Sequence, residues 1–330
     1  MSDRSTEQSS IASAKLSSAK FGAQSTAREV IAGHDLRGRE AIVTGGASGI
    51  GVETVRALAT AGARVVIATR DRTKGQAVAA ALRNETGNKA IEFAMLDLGS
   101  LASVRACVAQ FLASGRPLHL LINNAGIMAT PLAYTGDGFE SQFGTNHVGH
   151  FALTHGLLPA FKAARNARVV ELTSIGHRRS DVIFDDLDFR NRPYERWSAY
   201  GQSKTANSLF AVGLTQLLAG EGVIANAVHP GGIMTGLQKF VPREEQLAMG
   251  WIDEHGNVNS RFKSTEQGAA TSIYAAVSPD LEGNGGHYLE DCSIAKPWTA
   301  ESPFSGVMPY ALDPEHARRL WSVSEDLIAR

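Results

Sequence analysis

A glycine-rich turn, Thr44-Gly45-Gly46-Ala47-Ser48-Gly49-Ile50-Gly51, lies between the apolar run Ala41-Ile42-Val43 and a helix-patterned segment that begins near Val52. Few features limit a fold more. A strand has to end, the backbone has to turn through positive φ values with no Cβ in the way, and a helix has to start with its positive end facing the turn. Such a turn can cradle the pyrophosphate of a dinucleotide on backbone N–H groups. The spacing is G-x-x-x-G-x-G rather than G-x-G-x-x-G, so the usual fingerprint does not match although the physical task is the same.

The remaining chain alternates in the way such a turn requires. Strand-like runs at Ala41–Thr44, Arg64–Thr69, Ala90–Met95, Leu118–Asn123, Arg168–Leu172 and Ile224–Val228, with a last one near His287–Leu289, alternate with helix-length segments. The helices are expected over Val52–Ala61, Lys74–Asn84, Leu101–Ala113, Gly138–Arg165, Tyr200–Ala219 and Thr265–Val277. This pattern predicts an α/β fold, a single Rossmann-type doubly wound parallel sheet of about seven strands with helices on both faces. Ser264-Thr265-Glu266-Gln267 has capping-box spacing, and Asp313-Pro314 marks another helix start. Residues 1–20 read as a flexible tail. Residues 21–330 then form one domain with long loops near 175–198 and 229–263 and a C-terminal extension over 291–330.

With 43% hydrophobic and 20% charged residues in a chain of 330, a large core is affordable and disorder is excluded as the general state. A formal net charge of -1 and the lack of a basic, aromatic-interleaved stripe argue against nucleic acid as a partner. No apolar run is long enough for a membrane span, and the N-terminus lacks a signal-peptide core. Cys107 and Cys292 offer no disulfide framework and suit a reducing compartment, so a cytoplasmic location is expected.

Several short motifs then take chemical meaning from their place at the strand ends. Thr69-Arg70 closes the second strand, where a carboxylate would bind a free ribose 2′-hydroxyl; an arginine there can instead grip a 2′-phosphate, which favours NADP as cofactor. Asp97-Leu98 closes the third strand, and Asp97 can accept from an adenine amino group. Asn123-Asn124-Ala125-Gly126 closes the fourth with short side chains that let backbone approach a ligand. In Tyr200-Gly201-Gln202-Ser203-Lys204 a phenol and an ammonium stand four residues apart on one helix face. A free tyrosine titrates near ~10, and the Lys204 cation with an oxidised nicotinamide would lower that value into a useful range. Ser174, at the end of the fifth strand, can donate to a substrate carbonyl. Asn146 sits mid-helix, where an amide competes with the backbone unless it has a task, such as a kink holding a water near Lys204.

In this order the motifs resemble the short-chain dehydrogenase/reductase family, from about Phe21 to the C-terminus. The resemblance implies a catalytic tetrad of Asn146, Ser174, Tyr200 and Lys204, with Tyr200 as general acid or base, Ser174 polarising the carbonyl, Lys204 holding the nicotinamide ribose, and Asn146 holding a relay water. It implies cofactor contacts at Gly45, Ala47, Ser48, Gly49, Ile50, Gly51, Arg70, Asp97, Leu98, Asn124, Ala125, Gly126, Tyr200, Lys204, Pro230, Gly231 and Thr235. Phe21-Gly22-Ala23-Gln24-Ser25-Thr26-Ala27, Asn146-His147-Val148-Gly149-His150-Phe151 and the long gap between Ser174 and Tyr200 look like the retinol dehydrogenase and WW-domain oxidoreductase branch. Neither an anchor-like segment nor a WW segment is seen, so retinoid specificity is not implied.

The expected substrate is a mainly apolar aldehyde, ketone or alcohol, chosen by residues 175–198 and 229–309, where Ile183, Phe184, Tyr194, Trp197, Phe240, Trp251 and Trp298 supply apolar surface. A homo-oligomer is compatible with all of this. A serine hydrolase built on Ser174 and His177 lacks a G-x-S-x-G elbow. A metal site among Asp181, Asp185, Asp186, Asp188 and His177 lacks a paired histidine-carboxylate motif, so no metal is expected. The alternative from a different class is an NADP-binding sensor or scaffold that keeps the fold without turnover.

Overall fold

The structure, a computed structural model, describes residues 20–329. The tail expected over residues 1–20 lies outside the described residues except for Lys20. The amino-terminal half runs through α1 (Ala27–Ile31), β1 (Glu40–Thr44), α2 (Ile50–Thr60), β2 (Arg64–Thr69), α3 (Arg72–Thr86), β3 (Ile91–Met95), α4 (Leu101–Ala113) and β4 (Leu120–Asn123). It continues through α5 (Ser141–Phe143), α6 (Gly149–Gly156), α7 (Leu158–Ala164), β5 (Ala167–Leu172), α8 (Arg196–Leu217) and β6 (Val223–His229). Then come α9 (Arg243–Ala248), α10 (Thr265–Val277), β7 (Tyr288–Glu290), β8 (Ser293–Ile294) and α11 (Pro314–Ile328).

Among the described residues the strands form one sheet in the order β3-β2-β1-β4-β5-β6-β7-β8, parallel except for the last pair. The strands are apolar on both faces because both faces are covered. Val43, Val65 and Ile67 pack under α2, α3 and α10, while their neighbours Ile42, Val66 and Ala68 pack under α4, α6 and α8. The order reverses between β1 and β4. There the connections leave to opposite faces and open a crevice at the carboxyl edge.

Seven parallel strands match the reading of the sequence, and β8 adds a two-residue antiparallel edge. It follows a turn in which Asp291 and Cys292 take φ of 50° and 56°, a conformation usually marked by glycine or asparagine and here carried by neither. The helix expected over Gly138–Arg165 is broken into parts. Glu140 caps α5 by accepting from the Gln142 and Phe143 N–H groups, a π-turn spans Gly144–Val148, and Pro159, lacking an N–H, falls in the first turn of α7 after the break at Leu157.

The C-terminal segment is part of the core. Trp321 of α11 stacks on Phe210 of α8 at 5.9 Å and meets Phe151 of α6 edge-on at 4.9 Å. Asp313 caps α11 by accepting from the Glu315 and His316 N–H groups. Cys107 and Cys292 are free thiols, both buried.

Gly149 tests how tightly α6 is seated. A Cβ there would overlap the Leu98 carbonyl oxygen beside the crevice. In an open helix Gly→Ala stabilises, by about 1 kcal/mol, whereas here Gly149→Ala is expected to destabilise by about 1–3 kcal/mol. Urea unfolding midpoints distinguish the two signs.

Candidate active site

The crevice widens into a cleft of about 1200 Å³ whose floor is the carboxyl edge of the sheet. The glycine turn forms one end. Gly45 takes φ of 65° and its N–H donates to the Ala68 carbonyl at 2.8 Å, so the turn starts pinned to β2. Gly49, at φ 52°, is the N-cap residue of α2. A Cβ at Gly51 would overlap the Gly45 carbonyl oxygen, so this glycine lets α2 start close against the turn. Gly45, Ala47, Ser48, Gly49 and Ile50 line the cleft, with Gly51 directly behind them.

At the end of β2, Arg70 is exposed on the cleft rim beside Thr69, Asp71 and Lys74. The Asp71 carboxylate accepts the Lys74 N–H at 2.9 Å and so caps α3. Asp97 accepts from the Gly99 N–H at 2.9 Å, and Leu98 lines the cleft next to it. The Asn124 side chain is turned inward, donating from Nδ2 to the Thr44 carbonyl at 2.8 Å. Ala125 and Gly126 line the same wall, while Pro230, Gly231 and Thr235 form the opposite one after β6. Thr235 caps a short 3-10 turn over Gly236–Phe240, and its methyl group would lie 3.3 Å from a Cβ placed at Gly49, so this segment closes over the glycine turn.

Ser174, Tyr200 and Lys204 share the inner wall. Lys204 Nζ donates to the Leu172 carbonyl at 2.8 Å, and Thr173 Oγ1 donates to the Lys204 carbonyl at 2.7 Å, which locks α8 to the end of β5. Ser174 Oγ accepts the Gly176 N–H at 3.0 Å and contacts the Tyr200 phenol. Asn146 stands behind this wall, inside the π-turn. Its Oδ1 accepts the Ile127 N–H at 2.9 Å, and its Nδ2 donates to the Ile127 carbonyl and to Ser203 Oγ, each at 2.9 Å. The kink expected at Asn146 is therefore present, and its side-chain atoms are engaged by protein groups.

Burial governs the ionisation of these groups. It pushes the Tyr200 phenol up to about 12, opposed by the neighbouring Ser174 hydroxyl, and holds the Lys204 ammonium down to about 8, opposed by the Glu171 carboxylate. The expected lowering of Tyr200 by Lys204 does not govern in this state: desolvation dominates, and the phenol stays protonated at neutral pH. Glu171 itself is raised, because it is fully buried and only the Asn123 amide and the Lys204 cation favour its charge. His150 is held down to about 3 by the same burial.

The family model for short chain dehydrogenases matches residues 39–246, a span that includes the glycine turn, Ser174, Tyr200 and Lys204. The chain is a short-chain dehydrogenase. It is 42% identical to retinol dehydrogenase 12 of Mus musculus over 293 residues, covering 89% of this chain and 87% of that one. Among solved structures, one of a Mycobacterium paratuberculosis protein is 35% identical with a TM-score of 0.69, covering 93% of this chain and 98% of that one. Another, of Pseudomonas aeruginosa RhlG in an active-site complex with NADP, is 28% identical with a TM-score of 0.57, covering 74% and 92%. A short-chain dehydrogenase is an oxidoreductase that works with a nicotinamide dinucleotide, and the cradle found here has the shape for one.

The long loops divide differently from the sequence-based expectation. Of the seven aromatic and apolar residues assigned to the substrate region, Phe240 and Trp251 line the cleft. Trp197 stands one layer back, edge-on to Trp251 at 6.0 Å and to Tyr200 at 6.4 Å. Ile183, Phe184 and Tyr194 are turned away, because residues 181–194 fold down onto α8 and α5. Gln202 Nε2 donates to the Leu187 carbonyl, and the Tyr194 hydroxyl donates to the Thr130 carbonyl at 2.9 Å. Trp298 packs against Arg178 outside the cleft. Of residues 175–198, Ile175 alone lines the cleft, whereas residues 229–240, 249–263 and 290–305 contribute repeatedly.

Other groups carried no motif. Ala23 and Gln24 reach the cleft from the N-terminal segment, tied to α10 by a Gln24–Gln267 amide pair at 2.9 Å. Lys263 sits beside Gly231 and pairs with Asp291 at 2.5 Å. Met128 and Phe304 add apolar surface, Phe304 being 69% exposed at the rim. The Phe21–Ala27 resemblance was the one available signal for Gln24; the rest depend on contacts far apart in the chain.

Two loop variants separate lining from support. Trp251→Ala is expected to raise KM for an apolar substrate by about tenfold with little effect on folding. Phe184→Ala is expected to cost about 1–3 kcal/mol in urea unfolding and leave the substrate profile unchanged. Steady-state kinetics on a panel of apolar aldehydes and alcohols checks both.

Proposed function

We propose that this short-chain dehydrogenase transfers a hydride between NADP(H) and the carbonyl or alcohol carbon of a mainly apolar small molecule. The observation that carries the reading is the placement of the Tyr200 phenol, in contact with the Ser174 hydroxyl, one helical turn from Lys204 on the wall of a cleft that starts at the glycine cradle. When bound, the dinucleotide supplies or accepts the hydride. In the reductive direction Tyr200 gives its proton to the carbonyl oxygen as the hydride reaches the carbon, and Ser174 donates a hydrogen bond to the same oxygen. Lys204 stabilises the phenolate left behind and, with one N–H spent on Leu172, keeps donors for the ribose hydroxyls. A phenol held near 12 is well protected against losing its proton to water before substrate arrives.

NADP is favoured by Arg70 at the end of β2, exposed on the cleft rim with no carboxylate in the place that would bind a free 2′-hydroxyl. Asp71 stands next to it, but its carboxylate caps α3. The similar RhlG was solved with NADP, which supports the same choice. Apolar substrates are supported by Phe240, Trp251, Phe262 and Met249 along the cleft and by the likeness to a retinol dehydrogenase. Two buried free thiols support a reducing, cytoplasmic setting.

Tyr200→Phe tests the chemistry. Cofactor affinity should be retained while kcat falls by roughly 10²-fold or more, and near-full activity would remove Tyr200 from its role. Binding of NADPH without turnover of any carbonyl or alcohol by the unmodified protein would favour the sensor or scaffold alternative. Arg70→Ala tests the cofactor: affinity for NADPH should fall by about tenfold or more and that for NADH should hardly change, measured by fluorescence titration.

A further inference from the structure

His177 is buried in the 3-10 turn that follows Ser174. Its backbone N–H reaches the Ser174 carbonyl at 3.0 Å and its Nδ1 reaches the same oxygen at 2.8 Å. A carbonyl oxygen only accepts, so Nδ1 carries the ring proton. The other ring nitrogen, Nε2, lies 3.0 Å from the backbone nitrogen of Met308, whose N–H only donates. A single tautomer satisfies both neighbours. A further bond ties the same residue down, since its carbonyl accepts from the Tyr310 hydroxyl at 3.0 Å, with the Thr205 hydroxyl shared between it and the Ser180 carbonyl.

We infer that His177 is a positioning residue through which the C-terminal segment at Met308–Tyr310 fixes the orientation of Ser174. The inference rests on the proposed role of Ser174 as donor to the reacting oxygen. Ser174 is extended, with φ −162° and ψ 156°, and its peptide plane is gripped twice by His177. With that plane fixed and the Gly176 N–H bonded to Oγ, the hydroxyl proton is free to face Tyr200 and the substrate. The Met308 N–H and the Ser174 carbonyl select the same ring tautomer, and the donor it places at Nδ1 holds the serine. In the other tautomer a nitrogen lone pair would face the Ser174 carbonyl and push it away.

Other titratable groups do not compete for the ring. Tyr288 packs on it at 5.0 Å between centroids and His229 lies beyond Tyr288, while Arg178 and Tyr310 flank it. Burial holds His177 down to about 4 and His229 to about 3, so both rings are neutral where a dehydrogenase is normally assayed. Arg178 further disfavours a second proton on His177.

Met308→Pro removes the selecting N–H and leaves His177 and Ser174 as they are. Met308 has φ of −72°, which proline adopts without strain, and Met308→Leu controls for the side chain. In the proline variant the Ser174 carbonyl alone still favours Nδ1, so 15N spectra of histidine-labelled protein should show a clearly larger share of the His177 proton on Nε2 than the wild type does. With that shift kcat should fall in proportion to the fraction of the proton lost from Nδ1, about twofold for an even split, while KM and NADPH affinity stay near wild type. A variant that shifted the tautomer yet kept wild-type kcat, or lost kcat with the proton still on Nδ1, would overturn the inference. If the proline variant does not fold, His177→Gln, which retains one donor and one acceptor, should keep several-fold more kcat than His177→Leu at equal cofactor affinity; equal losses would overturn it. Failure of the underlying reading looks different, since wild-type protein would then show no turnover that depends on Tyr200.

Discussion

The site depends on how the backbone is pinned where β1 and β4 part. At that point a parallel sheet has a gap between two strand ends, and both loops would be free to drift. Thr44 closes it. Its Oγ1 accepts the N–H groups of Asn124 and Ala125 at 2.9 and 3.0 Å, and Asn124 returns a bond to the Thr44 carbonyl. With both lone pairs used, the hydroxyl proton goes to His150 Nε2 at 2.8 Å, which leaves Nδ1 to donate to the Asn146 carbonyl at 2.9 Å. The glycine turn, the Asn124–Gly126 wall and the π-turn around Asn146 are thus one hydrogen-bonded unit, buried where water cannot substitute for a missing partner.

The second rigid unit is the end of β5 with α8. Leu172 accepts from both Lys204 Nζ and Asn207 Nδ2, and Thr173 bonds to the Lys204 carbonyl and to Ser208. Consequently the phenol and ammonium proposed to act together ride on a helix that cannot shift along the strand without breaking several buried bonds. The two units meet at Asn146, which bonds Ile127 on one side and Ser203 of α8 on the other. An amide can serve that junction because it offers a donor and an acceptor from one rigid plane.

What was legible in the sequence follows from this division. Strands buried on both faces must be apolar runs, so β1 through β6 could be read to within two residues, and the glycine turn and Tyr200–Lys204 pair could be placed because each is a local spacing. The π-turn was visible only as an amide in an unsuitable place. β8 was missed because its turn puts Asp291 and Cys292 at positive φ, where composition gives no signal. The aromatic residues of 181–194 were assigned to the cleft because an aromatic beneath a loop and an aromatic lining a pocket look alike until Gln202 and Tyr194 reveal which way the loop folds. His177 bonds Met308 across 131 residues, a contact that no window along the chain contains.

Burial also sets the electrostatic terms on which the site would work. Tyr200, Lys204 and Glu171 all lie inside the wall, and each is pushed toward its neutral form by the loss of water. Glu171 is bound to Asn123 through Oε2 at 2.7 Å, while its Oε1 has no hydrogen-bond partner among the described residues, so the carboxylate is poorly solvated and its proton is retained more readily than in water. An ionised Glu171 supports the Lys204 charge, and a protonated one withdraws that support. A cation beside a neutral phenol eases its proton release, and each further positive charge in the cleft adds to that effect. The same desolvation that raises the resting phenol therefore steepens its response to charge in the cleft, because in a low-dielectric wall every added charge acts more strongly than it would in water.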